Sequence, residues 1–245
     1  MTSSRADFHA DRSVANAARA LPVRDEAPAD LGTHGPDLQT ALQYSDASLR
    51  GHRGQAQELM NAAMRDGLTL TEASVRLVQP AMIEVGRLWQ THRITIAQES
   101  LATAISQSVL AKAYLEARFA EPIGRKAVFA NVAGNHHSLG LRMLSDAFET
   151  VGWDVGLLGV DLPVDDLVRQ VDAERPELVC LSLSMPAHLA VARRTVERLR
   201  AELGTACPTI WVGGGATLAA DRVWRSVRAD GWAADALHAL AQATP

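Results

Sequence analysis

From residue 126 onward, short apolar runs alternate with amphipathic helical segments. Strand-length apolar runs lie at residues 127–132, 153–160, 178–183 and 209–212, with a shorter fifth run at 231–233. Helical patterns follow them at residues 138–151, 164–173, 187–202, 217–228 and 235–243. Strands that alternate with helices predict a parallel sheet with crossover helices. The near-continuous apolar character of the strands indicates that both faces of the sheet are covered.

The first half of the chain, from about residue 37 to residue 119, has helical patterns only. Asp46 is placed to cap a helix that runs to residue 66 and ends at Gly67. Thr69 and Glu72 have the spacing of a capping box, so a second helix is predicted to begin there.

Two further helices complete this half. Pro80 fits a break or the first turn of a helix that continues through residues 81–89. A long helix is predicted over residues 95–119, with a buried stripe of Ala97, Leu101, Ala104, Ile105, Val109 and Ala113. Four helices with short connections predict a small antiparallel bundle.

The predicted fold class is therefore α/β: an N-terminal four-helix bundle followed by a flavodoxin-like, Rossmann-like, doubly wound parallel sheet of five strands. The predicted boundaries are a flexible N-terminal arm over residues 1–36, a helical bundle cap over 37–120 and the α/β domain over 125–245.

Composition excludes several classes of function. A formal net charge of −4 gives no electrostatic footprint for nucleic acid or an anionic membrane. No apolar run approaches the roughly 18 residues of a membrane span, and the polar N-terminus does not resemble a signal peptide. Two cysteines, Cys180 and Cys207, make no disulfide framework. A cytoplasmic protein is expected.

Polar and glycine residues collect where three of the predicted strands end. Because the carboxyl ends of parallel strands share one edge of the sheet, these loops are expected to converge on one ligand. The sequence contains no dinucleotide or phosphate-binding fingerprint. The candidate residues are Asn135, His137 and Gly140 after the first strand, Ser182 and Ser184 after the third, and Gly213 and Gly214 after the fourth.

With these motifs the second half of the chain resembles the cobalamin-binding domain of methionine synthase, corrinoid methyl carriers and B12-dependent light sensors. The family pattern D-x-H-x-x-G is matched at His137 and Gly140, with Asn135 where the acid usually stands. Its S-x-L motif is partly met by Ser182, with Ser184 in third position, and its glycine pair falls on Gly213 and Gly214.

The resemblance implies roles for these residues. His137 would be the lower axial ligand of the cobalt, and Asn135 would accept a hydrogen bond from its other ring nitrogen. Ser182 and the glycines would line a slot for the nucleotide tail. His136 is expected to be exposed and to point elsewhere.

The helical half is similar to the cap of the light-sensing branch, which reads W-x9-E-H, whereas the corresponding segment of the methyl carriers has no Trp. Trp89 and Glu99 keep this spacing, and the implied role of Trp89 is an aromatic plate over the upper face of the ligand. Ser100 replaces the His, and Gln90 stands where a second His can take cobalt after illumination. His92 is near but at a different offset.

These departures leave two ligands open. The protein binds cobalamin with a different upper ligand, or the cavity accepts a linear bilin such as biliverdin, which needs a roomy apolar pocket and no metal ligand. Cys180 is interpreted as a packed core thiol and not as a covalent bilin anchor.

The resulting prediction is a non-enzymatic tetrapyrrole-binding photoreceptor or ligand sensor. It would signal to a regulatory protein partner through conformational or oligomeric change, as a homodimer without direct nucleic-acid binding. The enzyme-system alternative is a corrinoid methyl-carrier subunit of a methyltransferase system. A third alternative is an interaction module that has lost its cofactor, whose cavity would be filled by its own side chains.

Overall fold

The structure is a computed structural model that describes residues 36–218 and 223–243. A helical bundle lies over the carboxyl edge of a parallel sheet whose two faces carry helices. Apart from Pro36, the predicted N-terminal arm lies outside the described residues.

The bundle contains five α-helical segments and one π-helical turn. α3, the turn at Ser74–Val78 and α4 follow one another without a break and form one rod, where the sequence predicted two helices. The bundle has the predicted number of four rods because the predicted first helix is two. The helices are α1 (Leu38–Leu49), α2 (Arg53–Arg65), α3 (Leu70–Ala73), α4 (Gln79–Gln90) and α5 (Ile96–Leu115).

The predicted first helix is wrong in its bounds. Asp37, and not Asp46, caps α1, because its carboxylate accepts from the Thr40 N–H at 2.8 Å. Asp46 lies inside α1 and pairs with Arg50 at 2.8 Å. The chain then breaks at Gly51, whose φ of +79° is left-handed, so the predicted single helix is two.

The other predicted helix signals of this half are confirmed. Gly67 has a φ of +98° after α2, and Thr69 and Glu72 form the capping box of α3. Pro80 is the second residue of α4 and lies directly after the π-helical turn at Ser74–Val78, where the regular α-helical hydrogen-bond pattern is interrupted.

The buried stripe predicted for the long helix holds only in its second half. Ile105, Val109 and Ala113 are buried in α5, but the earlier members of the stripe are exposed, namely Ala97, Leu101 and Ala104. Thr95 caps α5 with Gln98 as its capping-box partner, and the helix ends at Leu115, four residues earlier than predicted. The first members of the stripe are exposed because the N-terminal end of α5 extends beyond the hydrophobic core of the bundle.

The sheet confirms the predicted α/β class. All four strand pairings are parallel and the strand order is β2-β1-β3-β4-β5, the order of a flavodoxin-like sheet. Edge strand β2 is shorter and more exposed than its apolar run predicts. The strands are β1 (Lys126–Asn131), β2 (Asp154–Leu157), β3 (Leu178–Ser182), β4 (Thr209–Gly213) and β5 (Gly231–Ala233).

Most helices of this half begin and end within two residues of the predicted bounds. The helix predicted at 217–228 differs, since two short helices, α9 and α10, flank residues outside the described range. The helices are α6 (Leu139–Thr150), α7 (Val164–Glu174), α8 (His188–Leu203), α9 (Gly215–Leu218), α10 (Val223–Ser226) and α11 (Ala236–Ala243).

Helix α6 belongs to both halves of the protein. Its residues Leu139 and Met143 pack in the hydrophobic core of the bundle, while Leu141 and Phe148 pack against the sheet. The Tyr114 hydroxyl of α5 donates to the Glu149 carboxylate of α6 at 2.7 Å. These contacts hold the bundle over the end of the sheet where the strands terminate.

Across the part of the chain that the structure describes, every helix is too short or too polar to cross a lipid bilayer.

Candidate cofactor site

A cavity of about 1290 Å³ separates the bundle from the carboxyl edge of the sheet. It is open space, which is not what the alternative of a cofactor-free interaction module predicts. Eight of the nine predicted site residues line it: Trp89, Glu99, His137, Gly140, Ser182, Ser184, Gly213 and Gly214. Asn135, the ninth, belongs to the same loop as His137 and is fully buried.

The Asn135 amide determines which nitrogen of His137 carries the proton. Its Nδ2 donates to the Ser182 carbonyl at 2.9 Å, so its Oδ1 is the acceptor that faces His137. That oxygen accepts from the His137 backbone N–H at 3.2 Å and lies 3.1 Å from the ring Nδ1. Because an amide oxygen can only accept, Nδ1 carries the hydrogen and Nε2 is left with a free lone pair. This is the tautomer that a metal-binding imidazole needs.

Three more contacts hold the loop between β1 and α6. The Asn131 side chain donates to the Asn135 carbonyl at 3.1 Å, and the Gly134 N–H donates to the Asp161 carboxylate at 2.8 Å. His188 is buried, accepts from the Met185 N–H through Nδ1 at 3.2 Å and also hydrogen-bonds to the Gly134 backbone. Three neighbouring strand ends therefore fix the position of the loop.

The surroundings of His188 favour the neutral form of its imidazole ring. Burial holds the pKa of His188 below its ordinary value, and the neighbouring imidazoles of His137 and His136 act in the same direction.

The glycine loop after β4 is shaped by protein backbone. A Cβ on Gly214 would lie 2.6 Å from the Leu183 carbonyl oxygen, and one on Gly215 would lie 3.0 Å from the Ser184 oxygen. Gly214 also has a φ of +103°. The sequence leaves open whether these glycines admit a ligand or another backbone, and the structure shows the backbone of the β3 loop packed against them.

Two other glycines on the cavity wall have open space beside them. A Cβ on Gly140, at the start of α6, or on Gly86, inside α4, would meet no protein atom within 4 Å. Neither has a positive φ. The room left at these two positions fits a ligand held between the cap and the sheet.

The cap side of the cavity combines one indole with charged groups. Trp89 is 38% exposed, and Glu99 accepts from the Thr103 hydroxyl at 3.1 Å. Glu84 and Arg87 form a two-bond ion pair at 2.6 and 2.7 Å on the same wall.

One more imidazole than predicted lies on the cavity wall. His136 lines the cavity, although it is predicted to point elsewhere. His92 has a left-handed φ of +56° and is not on the cavity wall, whereas Gln90 and Ser100 are. Among the described residues, the imidazoles on the wall are those of His136 and His137, and both come from the β1–α6 loop.

Cys180 lies on β3, at the cavity floor, and is buried. Burial raises the pKa of its thiol, so the reactive thiolate is disfavoured. It packs with Phe129 and Trp211, as expected for a core thiol.

Sequence reasoning missed three residues of the site. One of them, Gly86, could have been found, because an isolated glycine inside a helical pattern is unusual. Asp161 and His188 carried no such signal, because they reach the β1–α6 loop from 27 and 54 positions further along the chain.

This arrangement is that of proteins which hold a flat macrocycle between a helical cap and the end of a parallel sheet. Two family models, both described as B12 binding domain, match the chain at residues 125–241 and 41–114. Together they span more than half of the chain and cover both the sheet domain and the cap. The chain belongs to the B12-binding domain family, and cobalamin is its cofactor.

Curated relatives fall into two groups. The chain is 34% identical over 142 residues to the HTH-type transcriptional repressor CarH of Myxococcus xanthus, a match that covers 57% of this chain and 46% of the repressor. It is 26% identical over 163 residues to dimethylamine corrinoid protein 3 of Methanosarcina acetivorans, covering 66% of this chain and 73% of that protein. The chain thus spans less than half the length of the repressor.

Among solved structures, the monomethylamine corrinoid protein of Methanosarcina barkeri superposes with a TM-score of 0.69. The superposition covers 84% of this chain and 98% of that chain at 19% identity. It confirms the fold of the bundle and sheet.

Proposed function

We propose that the chain is a cobalamin-dependent sensor that responds to light or to exchange of the upper ligand, and that it passes the response to a regulatory protein partner. The observation that carries the proposal is that Trp89 of the cap and His137 of the sheet domain line the same cavity. Similarity to a transcriptional repressor over 57% of the chain adds support.

On the sheet side, the chain's own residues orient an imidazole that would hold the cobalt of a bound cobalamin. Cobalamin, when bound, supplies a coloured cobalt macrocycle whose axial ligands can be exchanged. Asn135 holds the Nδ1 proton of His137, and this hydrogen bond leaves Nε2 available to the metal. An amide oxygen is a weaker acceptor than the carboxylate usual in the family, so Asn135 orients His137 through a weaker hydrogen bond than that carboxylate would.

On the cap side, Trp89 and Glu99 face the same space. Helix α5 carries Glu99 in its first turn and contacts α6 further along, through Gln107 to Ser138 at 3.4 Å and through Tyr114 to Glu149. A change of the contacts at Glu99 would therefore be carried along α5 to its contacts with α6. We propose that this shift alters bundle packing and association, with a homodimer as the starting state.

The test uses the full chain loaded in the dark with adenosylcobalamin, and separately with biliverdin. Absorption spectra and the solution mass are recorded before and after illumination. We expect cobalamin to bind and illumination to change both the spectrum and the mass. His137→Ala should weaken cobalamin binding by at least about tenfold and shift the visible bands. His92→Ala, which removes an imidazole that does not line the cavity, should do neither.

One outcome contradicts the proposal, and a second restricts it. If cobalamin does not bind, the sensor cannot depend on it, and binding of biliverdin alone would make the linear bilin the chromophore. If cobalamin binds but illumination leaves both spectrum and mass unchanged, a response to light is excluded and only exchange of the upper ligand remains as the signal.

The second candidate is a corrinoid methyl carrier, which the match over 73% of a dimethylamine corrinoid protein favours. Trp89 stands against it, because an indole on the cap side of the cavity would block the approach of a methyltransferase to a bound corrinoid. The chain loaded with methylcobalamin would transfer its methyl group to a thiol or folate acceptor in the presence of a partner enzyme if this candidate were correct.

A further inference from the structure

The folded chain gives no structural reason for a glycine at position 86. Gly86 lies in the interior of α4, where glycine is less favourable than alanine because its backbone loses more freedom. Its φ is not positive, and a Cβ at this position would meet no protein atom within 4 Å. Neither backbone conformation nor packing against the rest of the chain explains it.

The position of Gly86 on α4 suggests what occupies the space. Ile83, Gly86 and Gln90 follow one another at intervals of three and four residues, and all three line the cavity. They therefore share one face of the helix. The absence of a side chain at Gly86 leaves a gap between those of Ile83 and Gln90, which we call the cap notch. Trp89, the proposed plate over the upper face, lies in the same turn.

Several of the other described glycines have local explanations. Gly51 and Gly67 have left-handed φ values, and Gly214 is pressed against the Leu183 carbonyl. Gly54, in the first turn of α2, also has open space around it, but it is exposed to solvent and does not line the cavity. Gly54 is therefore a matched control for a substitution at Gly86.

We propose that the cap notch receives the group that cobalamin carries on its cap-facing side, so that Gly86 sets the largest upper ligand that the protein accepts. This inference rests on the proposed function and goes beyond it, because it assigns selectivity among cobalamins to one residue. Substitution by alanine would fill part of the notch with a methyl group and would leave the rest of the protein unchanged.

The test compares Gly86→Ala and Gly54→Ala with the unsubstituted protein. The urea midpoint is measured without ligand, and dissociation constants are measured in the dark for hydroxocobalamin, methylcobalamin and adenosylcobalamin. Both variants should unfold at a higher urea concentration, since alanine favours the helix. Gly86→Ala should leave hydroxocobalamin binding nearly unchanged, weaken methylcobalamin binding by a few-fold and weaken adenosylcobalamin binding by about tenfold or more. Gly54→Ala should bind all three normally.

The order of the three affinities decides the proposal. An equal loss for all three cobalamins, or no loss for any, would overturn the cap notch while leaving cobalamin binding intact. A Gly86→Ala protein that is less stable without ligand would also overturn it, since the glycine would then have a structural role. If the unsubstituted protein binds none of the three, the proposed function itself fails, and this inference fails with it.

Discussion

At the scale of single residues, Asn135 connects two strand ends and determines which ring nitrogen of His137 carries the proton. Its fully buried side-chain amide donates a hydrogen bond to the Ser182 carbonyl and accepts one from the His137 imidazole. A carboxylate could orient His137 but has no hydrogen for Ser182. The requirement for one donor and one acceptor explains why an amide suits this position.

The first prediction follows from that requirement. Asn135→Asp should lower the free energy of unfolding by about 1–3 kcal/mol at neutral pH, because a buried carboxylate then opposes the Ser182 carbonyl. Burial should raise the pKa of the new carboxyl, and once protonated it can donate to Ser182. The loss should therefore shrink as the pH falls toward 5. Urea unfolding at both pH values measures it, and an equal loss at both would contradict the explanation.

The second prediction contrasts two glycines of the cavity wall. Gly214→Ala should lower the free energy of unfolding by about 1–3 kcal/mol, because the residue has a φ of +103° and its Cβ would lie 2.6 Å from the Leu183 carbonyl oxygen. Gly140→Ala should change it by less than about 0.5 kcal/mol, since its Cβ meets no atom. Urea unfolding without ligand separates the two, and similar losses would show that backbone contact is not the cause.

At the scale of elements, α6 begins two residues after His137 and is packed on both sides. Its apolar residues reach the bundle core on one side and the sheet on the other. Between them lies Asp146, a buried carboxyl paired with Arg142 at 3.4 Å and near Glu149. Burial raises the pKa of Asp146 to about 6, against the effect of Arg142.

The third prediction concerns pH. A carboxyl whose pKa is higher in the folded chain than in the unfolded chain loses stabilisation as the pH rises between the two values, here from about 4 to about 6. Asp146→Asn should remove this fall and so increase the free energy of unfolding at pH 7 relative to pH 4. Asp172→Asn, at an exposed carboxylate of α7, should retain the pH profile of the unsubstituted protein. Urea midpoints from pH 4 to 7.5 check this, and parallel curves for all three proteins would disprove it.

At the scale of the whole molecule, the ligand site is a space that neither half encloses alone. The bundle supplies Trp89 and Glu99, and the sheet domain supplies His137 and the loops after β3 and β4. A ligand that contacts both halves stabilises the folded form of both at once.

The fourth prediction uses this linkage. Free cobalamin at one hundred times its dissociation constant should raise the free energy of unfolding by about 2.7 kcal/mol. Bundle and sheet should unfold in one transition, because α6 contributes to both cores. Calorimetry with and without cobalamin tests both points. Two separate transitions, only one of them shifted by the ligand, would contradict the shared role of α6.

Much of this protein could be predicted from the sequence because the signals are local. Alternating apolar periods specify parallel strands with crossover helices, and the capping box at Thr69 and Glu72 marks a helix start. The resemblance through His137 and Trp89 pointed to a cobalamin site between cap and sheet, and the family matches confirm cobalamin as the cofactor. The assignment of individual site residues stays a prediction.

Only the tertiary structure decided the rest. The tautomer of His137 depends on Asn135 bonding to Ser182, 47 positions away. The exposed first half of α5 and the open space beside Gly86 depend on where the bundle sits above the sheet. Periodicity and caps are properties of neighbouring residues, so the sequence alone determined the elements. A cavity is made by residues distant along the chain, so its shape exists only after those elements have packed.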